Sequence, residues 1–277
     1  MSKFQKLGEA LSNALALVVI PISLVIAYFI YTYILGDPAN FVGNDPANEP
    51  LRNNYLGVIY KGGYIVILLI SFMIILLTFI IERFISIGMA AGKVQNQRFV
   101  RRIKQLVEEE KYSQVIESCD QQRGALANVV RNGIDTFQLV HAEPQLEKDQ
   151  KLAAIERDFE EATQLELPQL NKNMVIVSTL ASVSTLIGLL GTVTGMIKAF
   201  SALARVGSPD AIGLANGISQ ALVTTALGIS TAAVAIVFFN YFSNRIEKIT
   251  YAIDEAVFSI MNNFKKKILG SKSQEVA

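Results

Sequence analysis

The sequence lacks the residue types on which many catalytic and metal sites depend. Its 277 residues contain no tryptophan, a single histidine, His141, and a single cysteine, Cys119. One cysteine cannot form an internal disulfide, and one histidine cannot build the usual imidazole clusters. No pair of carboxylates lies beside a nucleophile or a glycine-rich loop. We therefore expect no metal ion, no cofactor and no enzymatic activity.

Charge is also scarce. Only 18% of the residues are charged and 51% are hydrophobic, whereas a soluble domain carries about 25% charged residues. The formal net charge of +1 offers no electrostatic support for a nucleic-acid partner. This composition indicates an integral membrane protein.

Four uncharged apolar runs are each long enough for a membrane-spanning helix, which needs about 20 residues. The runs are Ala14–Leu35, Gly62–Ile81, Asn173–Ile197 and Ala211–Asn244. The last run would form a helix of roughly 50 Å, so we expect it to tilt or to project beyond the bilayer. The first has no clean cleavage site, so we expect a retained transmembrane or interfacial helix rather than a signal peptide.

The distribution of lysine and arginine predicts the orientation. Segments 1–13, 82–172 and 245–277 hold 21 of the 25 basic residues, and segments 36–61 and 198–210 hold the other four. Because basic residues accumulate on the cytoplasmic side, both termini and residues 82–172 should be cytoplasmic. Segment 36–61, which repeats DPAN, is expected to be a turn-rich outer linker, and 198–210 a short outer connector.

The cytoplasmic segment 82–172 is polar and is predicted to form several helices. Near its start, basic side chains alternate with apolar ones in the pattern of an amphipathic helix, at Arg98, Arg101, Arg102 and Lys104. Such a helix could contact anionic lipid. We favour the alternative, a solvated helix face in a small bundle.

Hydroxyl side chains form a stripe along the third apolar run. Polar side chains inside a span usually face the bundle interior or a wet cavity, because burying them in lipid is costly. The residues within about 60° of one another on a helical wheel are Ser178, Ser182, Thr185 and Thr192. The alternative is that each hydroxyl bonds back to the preceding turn and only packs.

The fourth run combines a carboxamide with hydroxyls. Gln220 and Thr224 share one face of the predicted helix, whereas Thr225 points about 100° away from Thr224. The two threonines should therefore serve different surfaces, one towards a neighbouring subunit and one towards a pore. Small residues that permit close helix packing accompany both runs. These candidate packing residues are Gly188, Gly191, Gly195, Gly213, Gly217 and Gly228.

No Asp, Glu, His, Lys or Arg occurs inside any of the four runs. A proton relay normally needs an ionisable group within the membrane. If this protein moves protons, the titrating group must come from another chain, and the hydroxyls and Gln220 would line the path beside it.

The segments GLLGTVTGMIKAF (188–200) and GISQALVTTALGISTAAVAI (217–236) resemble the MotA/TolQ/ExbB proton-channel family, and ExbB and TolQ in particular. The resemblance implies an all-α polytopic bundle whose long helices extend into a cytoplasmic helical region. It also implies a homo-oligomer, typically a pentamer, whose last two helices line a central pore. The family's two pore threonines match Thr192 and Thr225.

The family further implies partners and a location. A small single-span protein of the ExbD or TolR type, with a membrane aspartate, would occupy the pore, and its motion would drive TonB or TolA. The chain would lie in a bacterial inner membrane, with 36–61 and 198–210 in the periplasm. We expect an ExbB-type motor subunit that energises TonB-dependent transport. A TolQ-like or gliding-type subunit and a non-conducting scaffold for an ExbD-like helix remain as alternatives, and a flagellar stator or a solute transporter is less favoured.

The sequence departs from the family pattern at three places. Gln220 stands where many relatives carry glutamate, which agrees with the absence of charge in the spans. Thr185 replaces a proline that is often found there, so a kink should be lost. Ala14–Leu35 is an additional apolar helix beside a three-span core.

Overall fold

The computed structural model describes residues 17–143, 145–204 and 210–270, and within these residues the fold is built from helices. The described part contains no strand, only an isolated bridge between Phe41 and Pro50. The predicted all-α fold class is therefore confirmed. The helices are α1 (Leu17–Leu35), α2 (Tyr55–Tyr60), α3 (Tyr64–Ala90), α4 (Asn96–Glu108), α5 (Tyr112–Gln122), α6 (Ala125–Ala142), α7 (Lys148–Asn171), α8 (Met174–Leu203) and α9 (Ala211–Gly270).

Four stretches of helix are long and apolar enough to cross a membrane, as the apolar runs predicted. They are Leu17–Leu35, Tyr64–Ala90, Lys148–Leu203 and Ala211–Leu269. The chain divides into two compact units. Unit 1 comprises Met1–Ile81 and Val175–Phe239, and unit 2 comprises Glu82–Met174 and Asn240–Ala277.

In unit 1, the additional helix α1 is joined to the rest by a tyrosine pair. The Tyr31 hydroxyl donates a hydrogen bond to the Tyr60 carbonyl at 3.1 Å, and the two rings stack with centroids 4.7 Å apart. Tyr31 also clusters with Leu35 and with Val66 of α3. Here α1 is π-helical over its last six residues, Ile30–Leu35.

The segment that follows α1 is held by its own hydrogen bonds. Asn40 lies at its centre: its amide donates to the carbonyls of Ile34 and Leu35 at 2.8 and 3.1 Å and accepts from Asn54 at 2.9 Å. At its end, the Lys61 ammonium donates to two backbone carbonyls at 3.1 and 3.0 Å. The turns expected in this segment are therefore tied together into a folded structure.

Unit 2 packs α4 to α7 against the second half of α9. Its centre is aromatic: the rings of Phe137 and Phe264 stack with centroids 3.7 Å apart. A side chain at Gly133 of α6 would overlap the buried ring of Phe159 on α7, so this glycine sets the distance between the two helices. At the edge, Lys267 pairs with Glu110 at 2.9 Å.

A charged side chain is fully buried in unit 2. Arg83, on α3, is 1% exposed. Its guanidinium pairs with the Glu82 carboxylate, with Nε donating at 2.6 Å, and Nη1 donates to the Leu170 carbonyl of α7 at 3.4 Å. The buried charge is thus compensated and links two helices of the unit.

Candidate functional site

The candidate site lies in unit 1, where α8 and α9 run antiparallel and approach each other through small residues. A methyl group built on Gly188 would lie 3.1 Å from the Thr224 carbonyl oxygen and 3.2 Å from Gly228 Cα. One turn along α8, a methyl on Gly191 would overlap the Thr224 side chain. Backbones this close leave no room for larger residues, and they let side chains of one helix reach the other.

The close approach continues towards the ends of the pair. A methyl on Gly195 would lie 2.7 Å from the Ala221 nitrogen and 2.7 Å from the Gly217 carbonyl oxygen. A methyl on Gly213 would lie 2.9 Å from the Ala202 Cβ of α8. The six glycines selected from the sequence therefore all lie at tight contacts, and each of these contacts includes the opposite helix.

The glycines bring two hydroxyls together. Thr192 Oγ1 of α8 lies 2.6 Å from Thr225 Oγ1 of α9, and either can donate. Both also lie 3.3 Å from the carbonyl oxygen of Gly188. One hydroxyl proton can therefore bond the other hydroxyl, and the second can bond this carbonyl. Both side chains are half-buried. The pair is therefore satisfied within the chain and is partly accessible from outside it.

The other predicted polar residues of α8 bond locally or face outwards. Thr185 donates to the Ala181 carbonyl at 3.2 Å, and Ser178 donates to the Val175 carbonyl at 3.0 Å. Ser182 is exposed. Thus Thr192 is the member of the predicted stripe that meets a hydroxyl of α9.

Thr224 and Thr225 both contact α8, at different positions, and their assignment to a neighbouring subunit and a pore stays a prediction. Thr224 is fully buried against Gly191, and its hydroxyl donates to the carbonyls of Gln220 and Ala221 at 2.8 and 3.1 Å. It packs the interface, while Thr225 supplies the hydroxyl that meets Thr192.

Lys198 is a residue of this site that the sequence did not indicate. Its ammonium donates a hydrogen bond to Gln220 Oε1 at 2.8 Å. Gln220 is 6% exposed, so the lysine supplies the hydrogen bond that its buried amide oxygen would otherwise lack. Because Lys198 ends the apolar run, it was assigned to the connector, yet α8 continues to Leu203. The unbroken apolar spacing after Lys198 was the signal for this extension.

One side of α8 presents an open apolar face near the hydroxyl pair. It is lined by Leu189, Val193, Met196, Ile197 and Phe200, together with the hydroxyl residues Thr192 and Ser201. In a membrane, a face of this kind meets lipid or another helix. The half-buried hydroxyl pair therefore opens onto a surface that a further helix can cover.

The chemistry of the arrangement follows from its groups. Hydroxyls both donate and accept hydrogen bonds, so a pair can orient water or hand on a proton, but neither titrates near neutral pH. Among the residues that the structure describes, no cluster of His, Cys, Asp or Glu suited to a metal ion occurs. The site can accompany a proton but has no carboxylate to carry it.

The sequence that forms this site also matches a known protein family. Residues 121–255, which include the whole of α8 and the hydroxyl pair, match the sequence model of the MotA/TolQ/ExbB proton channel family. Over these residues, just under half of its length, the chain is similar to this family. With its four long apolar helices, it is a multi-pass membrane protein.

Relatives named ExbB and TolQ are both similar to the chain. An ExbB-like biopolymer transport protein of Synechocystis is 41% identical over 86 residues, which cover 30% of this chain and 41% of that protein. The TolQ protein of Pseudomonas aeruginosa is 31% identical over 119 residues, covering 43% and 52%. ExbB of Xanthomonas campestris is 32% identical over 89 residues, covering 32% and 35%. The chain thus matches about half or less of the length of these relatives.

Proposed function

We propose that this chain is a proton-channel and stator subunit of an ExbB–ExbD type motor, which uses the proton motive force to energise TonB-dependent outer-membrane transport. It would lie in the bacterial inner membrane with both termini in the cytoplasm, as its basic residues favour. It would assemble as a homo-oligomer, most simply the pentamer that the family resemblance implies.

The observation that carries this proposal is the contact between Thr192 and Thr225. Their oxygens lie 2.6 Å apart in a glycine-packed helix pair, and the four apolar runs contain no ionisable residue. Hydroxyls can hydrate a proton path, but a carboxylate must bind the proton. We therefore propose that an ExbD/TolR-like partner supplies a membrane aspartate against the open face of α8.

The proposal is tested by removing each hydroxyl at constant shape. Thr192→Val and Thr225→Val should abolish energised uptake in a strain that depends on this chain, while the oligomer and its complex with the partner still assemble. Full uptake in both variants would contradict the channel function.

A TolQ-like function is the second candidate, favoured by the match to the Pseudomonas aeruginosa TolQ protein over 119 residues. The two candidates differ in the partner that is driven. The ExbB-type function predicts that the chain restores TonB-dependent uptake in cells lacking their own ExbB and TolQ. Restoration of outer-membrane integrity without uptake would favour the TolQ-like function instead.

A non-conducting scaffold is the third candidate, and it rests on the absence of charge inside the spans. A scaffold would hold an ExbD-like helix without passing protons. Liposomes that contain the chain with its partner should then show no proton flux above empty liposomes, whereas a channel subunit predicts a measurable flux.

A further inference from the structure

A small cavity in unit 2 lies apart from the hydroxyl site. It is partly open and has a volume of about 90 Å³, which is room for several water molecules, so it can admit a small polar group. Its walls are one face of α3, the start of α4 and one face of α9. The lining residues are Phe84, Ile87, Gly88, Ala91, Asn96, Tyr241, Phe242, Arg245, Lys248 and Ile249.

The polar part of the wall is positive. Arg245 and Lys248 lie about one turn apart on α9, and no carboxylate is among the described residues that line the cavity. Two neighbouring cations on a wall without a carboxylate favour an anion, and both guanidinium and ammonium groups bind phosphate.

The apolar part of the wall is aromatic and comes from the same helices. Phe84 packs against Tyr241 and Phe242, with ring centroids 5.6 and 5.0 Å away. Along the chain, Phe84 follows the apolar run that ends at Ile81, and Arg245 follows the one that ends at Asn244. Aromatic rings beside cations, where spanning helices leave their apolar segments, are typical of the lipid headgroup layer.

Asn96 provides a third kind of contact. Its Oδ1 atom is buried and has no hydrogen-bond partner among the residues that the structure describes. A buried acceptor without a donor is costly, so a ligand that brings a hydroxyl would stabilise it. The cavity thus offers two cations, Arg245 and Lys248, that can bind a phosphate, and one acceptor, Asn96 Oδ1, that can bind a hydroxyl.

We propose that this cavity binds the headgroup of an anionic phospholipid that carries a free hydroxyl, of the phosphatidylglycerol type. The phosphate lies against Arg245 and Lys248, the headgroup hydroxyl donates to Asn96 Oδ1, and the acyl chains follow the aromatic surface into the bilayer. The same phosphate chemistry occurs in soluble glycerol phosphates, so the test separates the two sources.

Gly88 provides a charge-neutral probe of the cavity. A methyl group built on this residue meets no atom within 4 Å, so there is room for a side chain to start here, and Gly88→Leu adds bulk to the cavity wall. A second variant, Arg245→Gln with Lys248→Gln, keeps the space and removes the charge. The matched control is Arg98→Gln with Arg101→Gln, which removes the same charge from exposed positions of α4 outside the cavity.

The experiment is native mass spectrometry of the purified full-length oligomer, titrated with phosphatidylglycerol, phosphatidylcholine of the same chains, or glycerol 3-phosphate. We expect phosphatidylglycerol to bind at least ten-fold more tightly than the other two. Gly88→Leu and the Arg245/Lys248 double variant should each weaken it at least ten-fold, and the Arg98/Arg101 control less than three-fold. Oligomer mass and thermal midpoint verify that each variant is folded.

Unchanged binding in a folded Gly88→Leu protein would overturn the proposal, as would equal losses in the two charge variants, which indicate general attraction to a basic surface. Equal binding of phosphatidylcholine would exclude a site for anionic lipid. Binding of glycerol 3-phosphate as tight as that of phosphatidylglycerol would assign the cavity to a soluble phosphate instead.

Discussion

Adding one methyl group at Gly195 should separate the helices that hold the hydroxyl pair. In Gly195→Ala, the new Cβ would lie 2.7 Å from two backbone atoms of α9, the Ala221 nitrogen and the Gly217 carbonyl oxygen. Ordinary van der Waals contact begins at 3.4 Å. Backbone atoms cannot rotate out of the way as a side chain can, so the helices must move apart by about 0.7 Å at this point.

The consequence reaches the hydroxyl pair, which lies on the same interface. Thr192 is three residues before Gly195 on α8, and Thr225 is four residues after Ala221 on α9. A local separation of about 0.7 Å would stretch their 2.6 Å contact beyond the roughly 3.0 Å limit of an O–H···O bond. Overpacking of this kind costs about 1–3 kcal/mol, so the protein should remain folded while its site is disrupted.

The assay combines thermal unfolding of the purified protein with proton flux into liposomes that contain the protein and the proposed partner. Gly195→Ala should lower both the thermal midpoint and the flux. Alanine favours helix by up to about 1 kcal/mol over glycine, and Gly88→Ala, which meets no atom, measures that gain alone in the unfolding assay. If Gly195→Ala leaves midpoint and flux at the wild-type values, the helices are not packed as described.

Three further changes have definite expected outcomes. Gln220→Glu should form an ion pair with Lys198, whose ammonium is 2.8 Å from the present amide oxygen. Replacing this hydrogen bond by an ion pair changes the free energy by about 1 kcal/mol or less, so proton flux should stay within about three-fold of wild type. Complete loss of flux would show another role for Gln220. Arg83→Met should lower the free energy of unfolding by about 3 kcal/mol, because a buried ion pair loses one partner. The control Arg157→Met, in an exposed ion pair, should leave the free energy of unfolding unchanged. Equal losses of stability in the two variants would contradict the burial of Arg83. Burial raises the pKa of the Cys119 thiol to about 12, so the thiol stays protonated at pH 8. Maleimide should therefore label this cysteine, the only one in the sequence, after unfolding but not before. Rapid labelling of the native protein would show that α5 is not packed as described.

The spanning helices were predictable because the thickness of a membrane sets the number of consecutive apolar residues that a helix needs to cross it. Four uncharged runs of sufficient length leave few other structures for the chain, and most of the described part of each run lies in a long helix. Their ends were less predictable. A charged residue such as Lys198 ends an apolar run, but backbone hydrogen bonds continue to Leu203, since a helix does not stop where hydrophobicity does.

The hydroxyl site was only partly predictable for a related reason. A helical wheel gives directions within one helix, and it placed Ser178, Ser182, Thr185 and Thr192 together. It does not say which of them meets the next helix. That is decided by the glycines of both helices, which set the register between α8 and α9 and bring Thr192 to Thr225.

The folded segment after α1 was not predictable from composition. Its Asn, Asp, Pro and Gly residues indicate turns, and turns of the same composition occur in flexible linkers. What holds this segment is a set of specific contacts, of which the central one is the Asn40 side chain bridging Ile34, Leu35 and Asn54. Such side-chain hydrogen bonds between distant positions leave no periodic signal in a sequence.

The central claim, that the Thr192 and Thr225 hydroxyls line a proton path, is tested most directly by proton flux in liposomes that contain the chain and the proposed ExbD/TolR-like partner. At each position, serine keeps the hydroxyl and loses a methyl group, whereas valine keeps the shape and loses the hydroxyl. Both valine variants should abolish the flux, and both serine variants should retain most of it, at equal amounts of assembled complex. Wild-type flux in the valine variants, or equal loss in the serine variants, would contradict the account.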